Sequence, residues 1–192
     1  VRELGGEPER TPPVFFLKPA DSLVPGGGDI HYPPKTKNLH YEIELVVAIG
    51  EGGRNLAAGA VRDHVYGYAV GIDLTRRDHQ QAAKDSGGPW DTAKSFEQAA
   101  PISPLSRASD IGHPDAGRIW LAVNGDVRQD ADLGDMIWTI DEAVAELSSL
   151  FTLRAGDLLF TGTPAGVGAV AAGDRLTGGV DGVGSIDIRI ID

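Results

Sequence analysis

The sequence predicts an α+β fold in which strands and loops dominate and helices are few and short. Three observations point there. Glycine (26) and proline (12) together make up about a fifth of the 192 residues and punctuate the chain at short intervals. Several segments alternate in side-chain character with the two-residue period of a strand. Only two segments carry a helical pattern, and both are short. The length fits one large domain, with two small ones as the alternative, and can bury a core without covalent staples.

Taken in chain order, residues 1–38 read as mostly loop, punctuated by Thr11-Pro12-Pro13, Pro25-Gly26-Gly27-Gly28 and Pro33-Pro34. Val14 to Leu17 reads as a short buried strand, and 20–38 as mobile. Leu39 to Ile49 is the clearest strand: Tyr41, Ile43, Leu45, Val47 and Ile49 share one face, and His40, Glu42, Glu44, Val46 and Ala48 the other. Tyr66 to Asp73 forms a second strand ending on an acid. Thr75 to Lys84 reads as a helix stopped by Ser86-Gly87-Gly88-Pro89. Arg118–Val123 and Asp126–Gln129 flank Asn124-Gly125, a pair that tolerates the positive φ of a two-residue hairpin turn. Thr139 with Glu142 three residues on has capping-box spacing before a stripe of Ile140, Val144, Leu147 and Phe151. Leu158–Thr161 is a strand leading into a glycine-rich turn. Gly184–Ile191 closes the chain as a strand with Ile186, Ile188 and Ile190 facing in. Ala155-Gly156-Asp157 and Ala172-Gly173-Asp174 read as matching turns.

Composition excludes several function classes. Seventeen basic against 28 acidic residues give a net charge of −11, against a nucleic-acid binder but compatible with hard cations. The absence of cysteine excludes disulfide frameworks, zinc ribbons and thiol nucleophiles, and fits a cytosolic enzyme. No apolar run is long enough to span a membrane, and no signal peptide is visible. The five histidines lack zinc-ligand spacing such as HExxH, and no GxSxG elbow occurs.

Glu42 and Glu44 lie about 7 Å apart on one strand face. A solvated face tolerates such a pair. A covered one, as Val46 and Ala48 on the same face imply, needs a cation or a shared proton. Asp73, at the end of the next strand, would complete an oxygen-only ligand set suited to Mg²⁺, Mn²⁺ or Ca²⁺, or would simply cap the following helix. Arg77 and Gln80 share one helix face and either lean toward that site or stay solvated. Lys94 is either buried beside a carboxylate or a snorkelling surface residue. The Thr161–Gly168 segment misses phosphate-loop and dinucleotide spacing. It reads as a tight turn or as a nest whose N–H groups, with the Thr163 hydroxyl, hold a small carboxylate.

The ordered set Phe16-Leu17-Lys18-Pro19, Leu39 to Leu45, Gly71 to Asp78, Trp90 to Phe96 and Thr161 to Gly168 resembles the fumarylacetoacetate hydrolase family through nearly the whole chain. It is most similar to the short acylpyruvate hydrolase branch, nearest its fumarylpyruvate-cleaving members. The resemblance implies a single catalytic domain over 1–192 built of mixed, curved sheets, a homodimer, and a cytoplasmic role in the catabolism of aromatic compounds. It implies Glu42, Glu44 and Asp73 as ligands of Mg²⁺, with Mn²⁺ or Ca²⁺ as alternatives. Arg77, Gln80, Lys94, Gly162 and Thr163 would surround a small oxo-acid substrate, and Lys94 would act in catalysis. Glu3 matches the glutamate of the family's His-x-x-Glu lid pair. The histidine would fall just upstream of Val1, so the lid segment reads as incomplete. The implied reaction is metal-dependent hydrolysis of the C–C bond of a 3-acylpyruvate such as fumarylpyruvate, giving pyruvate and a carboxylic acid. Decarboxylation or tautomerisation of oxaloacetate at the same site is the enzymatic alternative, and a non-catalytic, metal-stabilised oxo-acid-binding module the non-enzymatic one.

Overall fold

The computed structural model describes residues 11–192. Two long antiparallel strands, Ile43–Ile49 and Val65–Ile72, form the centre of a six-stranded sheet. Leu158–Phe160 extends it on one side, and Ala100–Ile102 followed by Leu23–Pro25 on the other. Ser106–Arg107 adds a short pairing to Val65–Ile72. A five-stranded sheet runs in the order Asp126–Asp132, Arg118–Val123, Arg175–Val180, Gly184–Ile191, Gly28–His31. A small third sheet joins Gly168–Val170, Leu39–Tyr41 and Thr75–Arg76. Among the described residues two pairings are parallel, Leu23–Pro25 with Ala100–Ile102 and Gly184–Ile191 with Gly28–His31. These mixed, curled sheets, with the helices Arg77–Ser86 and Ile140–Leu150 and a few single turns of α and 3-10 helix among the described residues, make an α+β fold.

The main core lies between the first two sheets. Ile43, Leu45, Val47 and Ile49 from one face of the central strand meet Leu121, Leu176, Ile186, Ile188 and Ile190 from the other sheet, all buried. Each fully buried side chain of this kind contributes about 1.5–3 kcal/mol. The sheets approach closely where Gly178 faces Ile43, since a Cβ on Gly178 would lie 2.8 Å from Ile43 Cδ1. The opposite face of the central strand carries Glu42, Glu44, Val46 and Ala48. It is covered too: Val46, Ala69 and Ile102 form a second small cluster under Leu23, Leu158 and Phe160.

The Leu39–Ile49 segment is not one strand, because the chain changes sheets at Glu42. Leu39–Tyr41 pairs in the third sheet and Ile43–Ile49 in the first, yet the alternation of faces survives the break. The following helix starts at Arg77 instead of Thr75, because Thr75 and Arg76 are taken up in a ladder with His40 and Leu39. It ends at Gly87, whose φ of 67° is the left-handed cap. The Asn124-Gly125 hairpin forms with both residues at positive φ, and its second strand continues to Asp132. The Thr139–Glu142 capping box is present, but Phe151 falls beyond the helix and is exposed. In the two Ala-Gly-Asp turns, Asp157 accepts from Arg154 N and Asp174 from Ala171 N, each at 2.8 Å.

Two expectations about the first 38 residues fail. Val14–Leu17 forms no strand: Val14, Phe16 and Leu17 are exposed, and Phe16 stacks against Trp90 with ring centroids 5.9 Å apart. The segment enters no ladder, and its residues flank a cavity instead. The 20–38 stretch, read as mobile loop, holds two ladder-bound strands, Leu23–Pro25 and Gly28–His31.

One glycine sets the distance between the five-stranded sheet and the loop after Leu158–Phe160. Gly166 has φ 102°, and a Cβ there would sit 2.1 Å from the Arg128 carbonyl oxygen. Gly166→Ala combines left-handed strain with a backbone clash. It is expected to destabilise the protein by about 1–3 kcal/mol, read as a drop of about 2–4 °C in melting temperature per kcal/mol.

Candidate metal centre

The sheet change at Glu42 builds the site. Asp73 lies one step past the last ladder pair, Ile43–Ile72, and its N–H donates to the Glu42 carbonyl at 2.8 Å. Glu42 and Glu44, two apart, share the strand face that Asp73 reaches from the neighbouring strand. One carboxylate oxygen from each of the three lies within 4.8 Å of the others. All three side chains are buried, at 5%, 4% and 1% exposure, which removes the solvated-face reading.

Cations converge on two of the three acids. Lys94, on the helical turn Asp91–Lys94, sends Nζ to Glu42 Oε2 at 2.8 Å, Asp73 Oδ2 at 2.5 Å and Thr75 Oγ1 at 2.6 Å. Lys18 Nζ faces Asp73 Oδ1 at 2.8 Å and donates to the carbonyls of Lys94 at 2.5 Å, Ala99 at 3.1 Å and Leu74 at 3.3 Å. Arg77 pairs with Glu42 Oε1 and donates to Gln80 Oε1 at 2.5 Å. Its Nε donates to His40 Nδ1 at 3.3 Å, while His40 Nε2 meets Asn38 Oδ1 at 2.9 Å. Burial, with the Arg77 charge, holds the His40 pKa down at about 4, so this histidine is neutral at pH 7. Burial pushes Asp73 up, but the adjacent Lys18 and Lys94 ammoniums outweigh it and hold the acid below its ordinary range. Lys94 is pulled down by burial, yet Asp73 and Glu42 win and raise it.

Glu44 differs. It accepts the Gly162 N–H at 2.7 Å, and no cation among the described residues lies within ion-pair distance of it. Burial first, then the charges of Asp73 and Glu42, push its pKa well above the ordinary carboxylate range. A fully buried carboxylate facing two others without a counter-charge is the arrangement a divalent cation relieves. An all-carboxylate donor set fits a hard, oxygen-preferring ion, so the residues present suit a divalent metal.

A cavity of about 1020 Å³ opens beside Glu44, Asp73, Gly162 and Thr163 and runs along residues 13–20 toward Trp138 and Phe151. Glu42, Arg77, Gln80 and Lys94 do not line it; they are buried behind the exposed edge of the cluster. Glu3 lies outside the described residues. Sequence reasoning assigned no role to Lys18 or Gln129 and none to His40 beyond its face. A lysine before a proline and a glutamine in a hairpin strand carry no local signal, because their partners are 34 or more residues away. No helix among the described residues is long and apolar enough to cross a membrane.

Comparison with known proteins follows this geometry. Residues 1–191 match the family described as fumarylacetoacetate (FAA) hydrolase, C-terminal. A fumarylpyruvate hydrolase from Ralstonia sp is 42% identical over 176 residues, covering 92% of this chain and 91% of that protein. The mitochondrial oxaloacetate tautomerase of Rattus norvegicus is 42% identical over 178 residues, covering 93% and 80%. The crystal structure of a Pseudomonas aeruginosa fumarylpyruvate hydrolase in complex with Mn²⁺ and pyruvate superposes with a TM-score of 0.94 at 49% identity, covering 97% of this chain and 82% of that one.

Proposed function

The chain belongs to the fumarylacetoacetate hydrolase family, and on that premise we propose that it is a metal-dependent hydrolase of 3-acylpyruvates such as fumarylpyruvate. The observation that carries this reading is the buried Glu42–Glu44–Asp73 cluster, in which Glu44 has no counter-charge among the described residues. The three carboxylates would hold a divalent ion, Mg²⁺ or Mn²⁺. When bound, that ion supplies Lewis-acid polarisation of the oxo-acid's oxygens.

The chain's own residues do the rest. The backbone N–H of Thr163, beside the cluster, receives the substrate carboxylate, while the Gly162 N–H stays on Glu44. Arg77 and Gln80, joined to each other and to Glu42, hold that ligand's orientation from behind. Glu3 would help activate the water that adds to the distal carbonyl. The C–C bond then breaks, water's oxygen stays with the released carboxylic acid, and the other fragment becomes pyruvate after protonation. Lys94 Nζ, ion-paired with both Glu42 and Asp73, stabilises the electron-rich pyruvate fragment as it leaves. Homodimer formation and a cytoplasmic location belong to this reading through family resemblance.

Oxaloacetate tautomerisation is the second reading, favoured by the equal identity to the rat tautomerase. The two separate in one experiment. The protein with Mn²⁺ is given fumarylpyruvate and, separately, enol-oxaloacetate. The hydrolase reading expects pyruvate and fumarate in equal amounts from the first. Rapid keto–enol conversion of the second with no pyruvate from the first would overturn it.

A further inference from the structure

Gln129 is fully buried, although it lies on a hairpin strand whose neighbours are largely exposed. A register shift between Val127 and Gln129 interrupts the ladder there, and such irregularities re-aim a side chain. Its carboxamide makes three hydrogen bonds: Oε1 accepts from Ile43 N at 3.0 Å, and Nε2 donates to Thr163 Oγ at 2.8 Å and to the Pro164 carbonyl at 2.9 Å. The partners fix the amide's orientation, because the Ile43 N–H can only donate and the Pro164 carbonyl can only accept.

Thr163 closes the ring. Its hydroxyl donates to the Ile43 carbonyl at 2.7 Å while accepting from Gln129. A threonine hydroxyl has one proton. With that proton committed to Ile43, the hydroxyl cannot also donate to a ligand's carboxylate. The Ile43 residue so gripped sits between Glu42 and Glu44, and the same loop's Gly162 N–H holds Glu44.

We propose that Gln129 is a positioning residue: with Thr163 it clamps the 161–165 loop to the Ile43 residue, and the loop receives the oxo-acid carboxylate through the Thr163 backbone N–H and not through the Thr163 hydroxyl. The carboxylate part of this inference rests on the proposed function; the clamp itself does not. Glu42 and Asp73 are held by Arg77, Lys94 and Lys18 independently of the loop, and of the three acids Glu44 alone bonds to it, through Gly162, so the clamp governs the oxo-acid more than the metal.

The test compares Gln129→Met, Thr163→Val, their double variant and Thr163→Ser. Oxalate serves as probe on the Mn²⁺-loaded protein, Mn²⁺ affinity is titrated alone, and amide hydrogen exchange is followed over residues 161–168 without metal. Each of the two single variants is expected to weaken oxalate binding about tenfold and the double variant no more than either, because all break one ring. Mn²⁺ affinity should change less than about threefold, exchange over 161–168 should speed up, and Thr163→Ser should keep wild-type values. Multiplying effects in the double variant, about a hundredfold, would mean that the hydroxyl bonds the ligand itself and would overturn the proposal. So would unchanged exchange in Gln129→Met. If that variant does not fold, Thr163→Val breaks the same ring from its half-buried side and carries the same expectation. If the wild-type protein binds Mn²⁺ without oxalate, or neither, the functional reading fails, while the exchange measurement still decides the clamp.

Discussion

Glu44→Gln is expected to lose divalent-metal binding and turnover together while making the metal-free protein more stable. The opposite signs follow from one cause. Glu44 is buried, faces Asp73 and Glu42, and among the described residues has only the Gly162 N–H as hydrogen-bond partner. Its pKa is raised above the ordinary carboxylate range, so folding favours its protonated form. Such a group stabilises the fold below its unfolded-state pKa, and that contribution is lost as pH rises through the folded-state value. At pH 7 without metal, burying this acid therefore works against folding relative to the ionised, solvated group of the unfolded chain, and a neutral amide of the same shape removes that penalty. With metal, the same charge becomes a ligand. Its loss should raise the Mn²⁺ dissociation constant about a hundredfold or more, at least the effect seen when an outer partner of a ligand is removed. Melting in a chelator at pH 7, Mn²⁺ titration and pyruvate release measure the three effects. A variant that keeps wild-type metal affinity and turnover would remove Glu44 from the ligand set.

Lys94→Ala should do the reverse: weaken the metal-free protein severely, retain the metal and lose the chemistry. Lys94 is 2% exposed and neutralises parts of both Glu42 and Asp73. Removing one partner of a buried ionic cluster costs about 3–5 kcal/mol, because the remaining charges stay desolvated and unpaired. A bound dication replaces that lost positive charge, so saturating Mn²⁺ should recover most of the melting temperature. Turnover should not recover. If Lys94 stabilises the leaving pyruvate fragment, its removal should lower kcat about a hundredfold or more even at saturating metal. Near-normal kcat in the metal-loaded variant would take Lys94 out of the mechanism and leave it a structural counter-ion.

Much of the site's chemistry was legible in the chain because it is local. The alternation through Leu39–Ile49 put Glu42 and Glu44 on one face, and the apolar Val46 and Ala48 beyond them indicated a covered face. The Asn124-Gly125 turn and the Thr139–Glu142 cap were readable for the same reason: their geometry is settled within four residues. Val14–Leu17 misled because an apolar run carries no record of whether it will pair in a sheet or line a cavity.

By itself, the sequence determined which side chains share a strand face, where the chain turns, and that acids rather than thiols or histidine clusters are the available ligands. These follow from backbone periodicity and residue chemistry. Only the tertiary structure decided that the chain changes sheets at Glu42, that Asp73 comes opposite it, that Lys18, Lys94 and Arg77 counter two acids while no described cation reaches Glu44, and that Gln129 grips Ile43. Each of those depends on partners brought together by packing between sheets. Burial and charge pairing are properties of that packing, which no local spacing encodes.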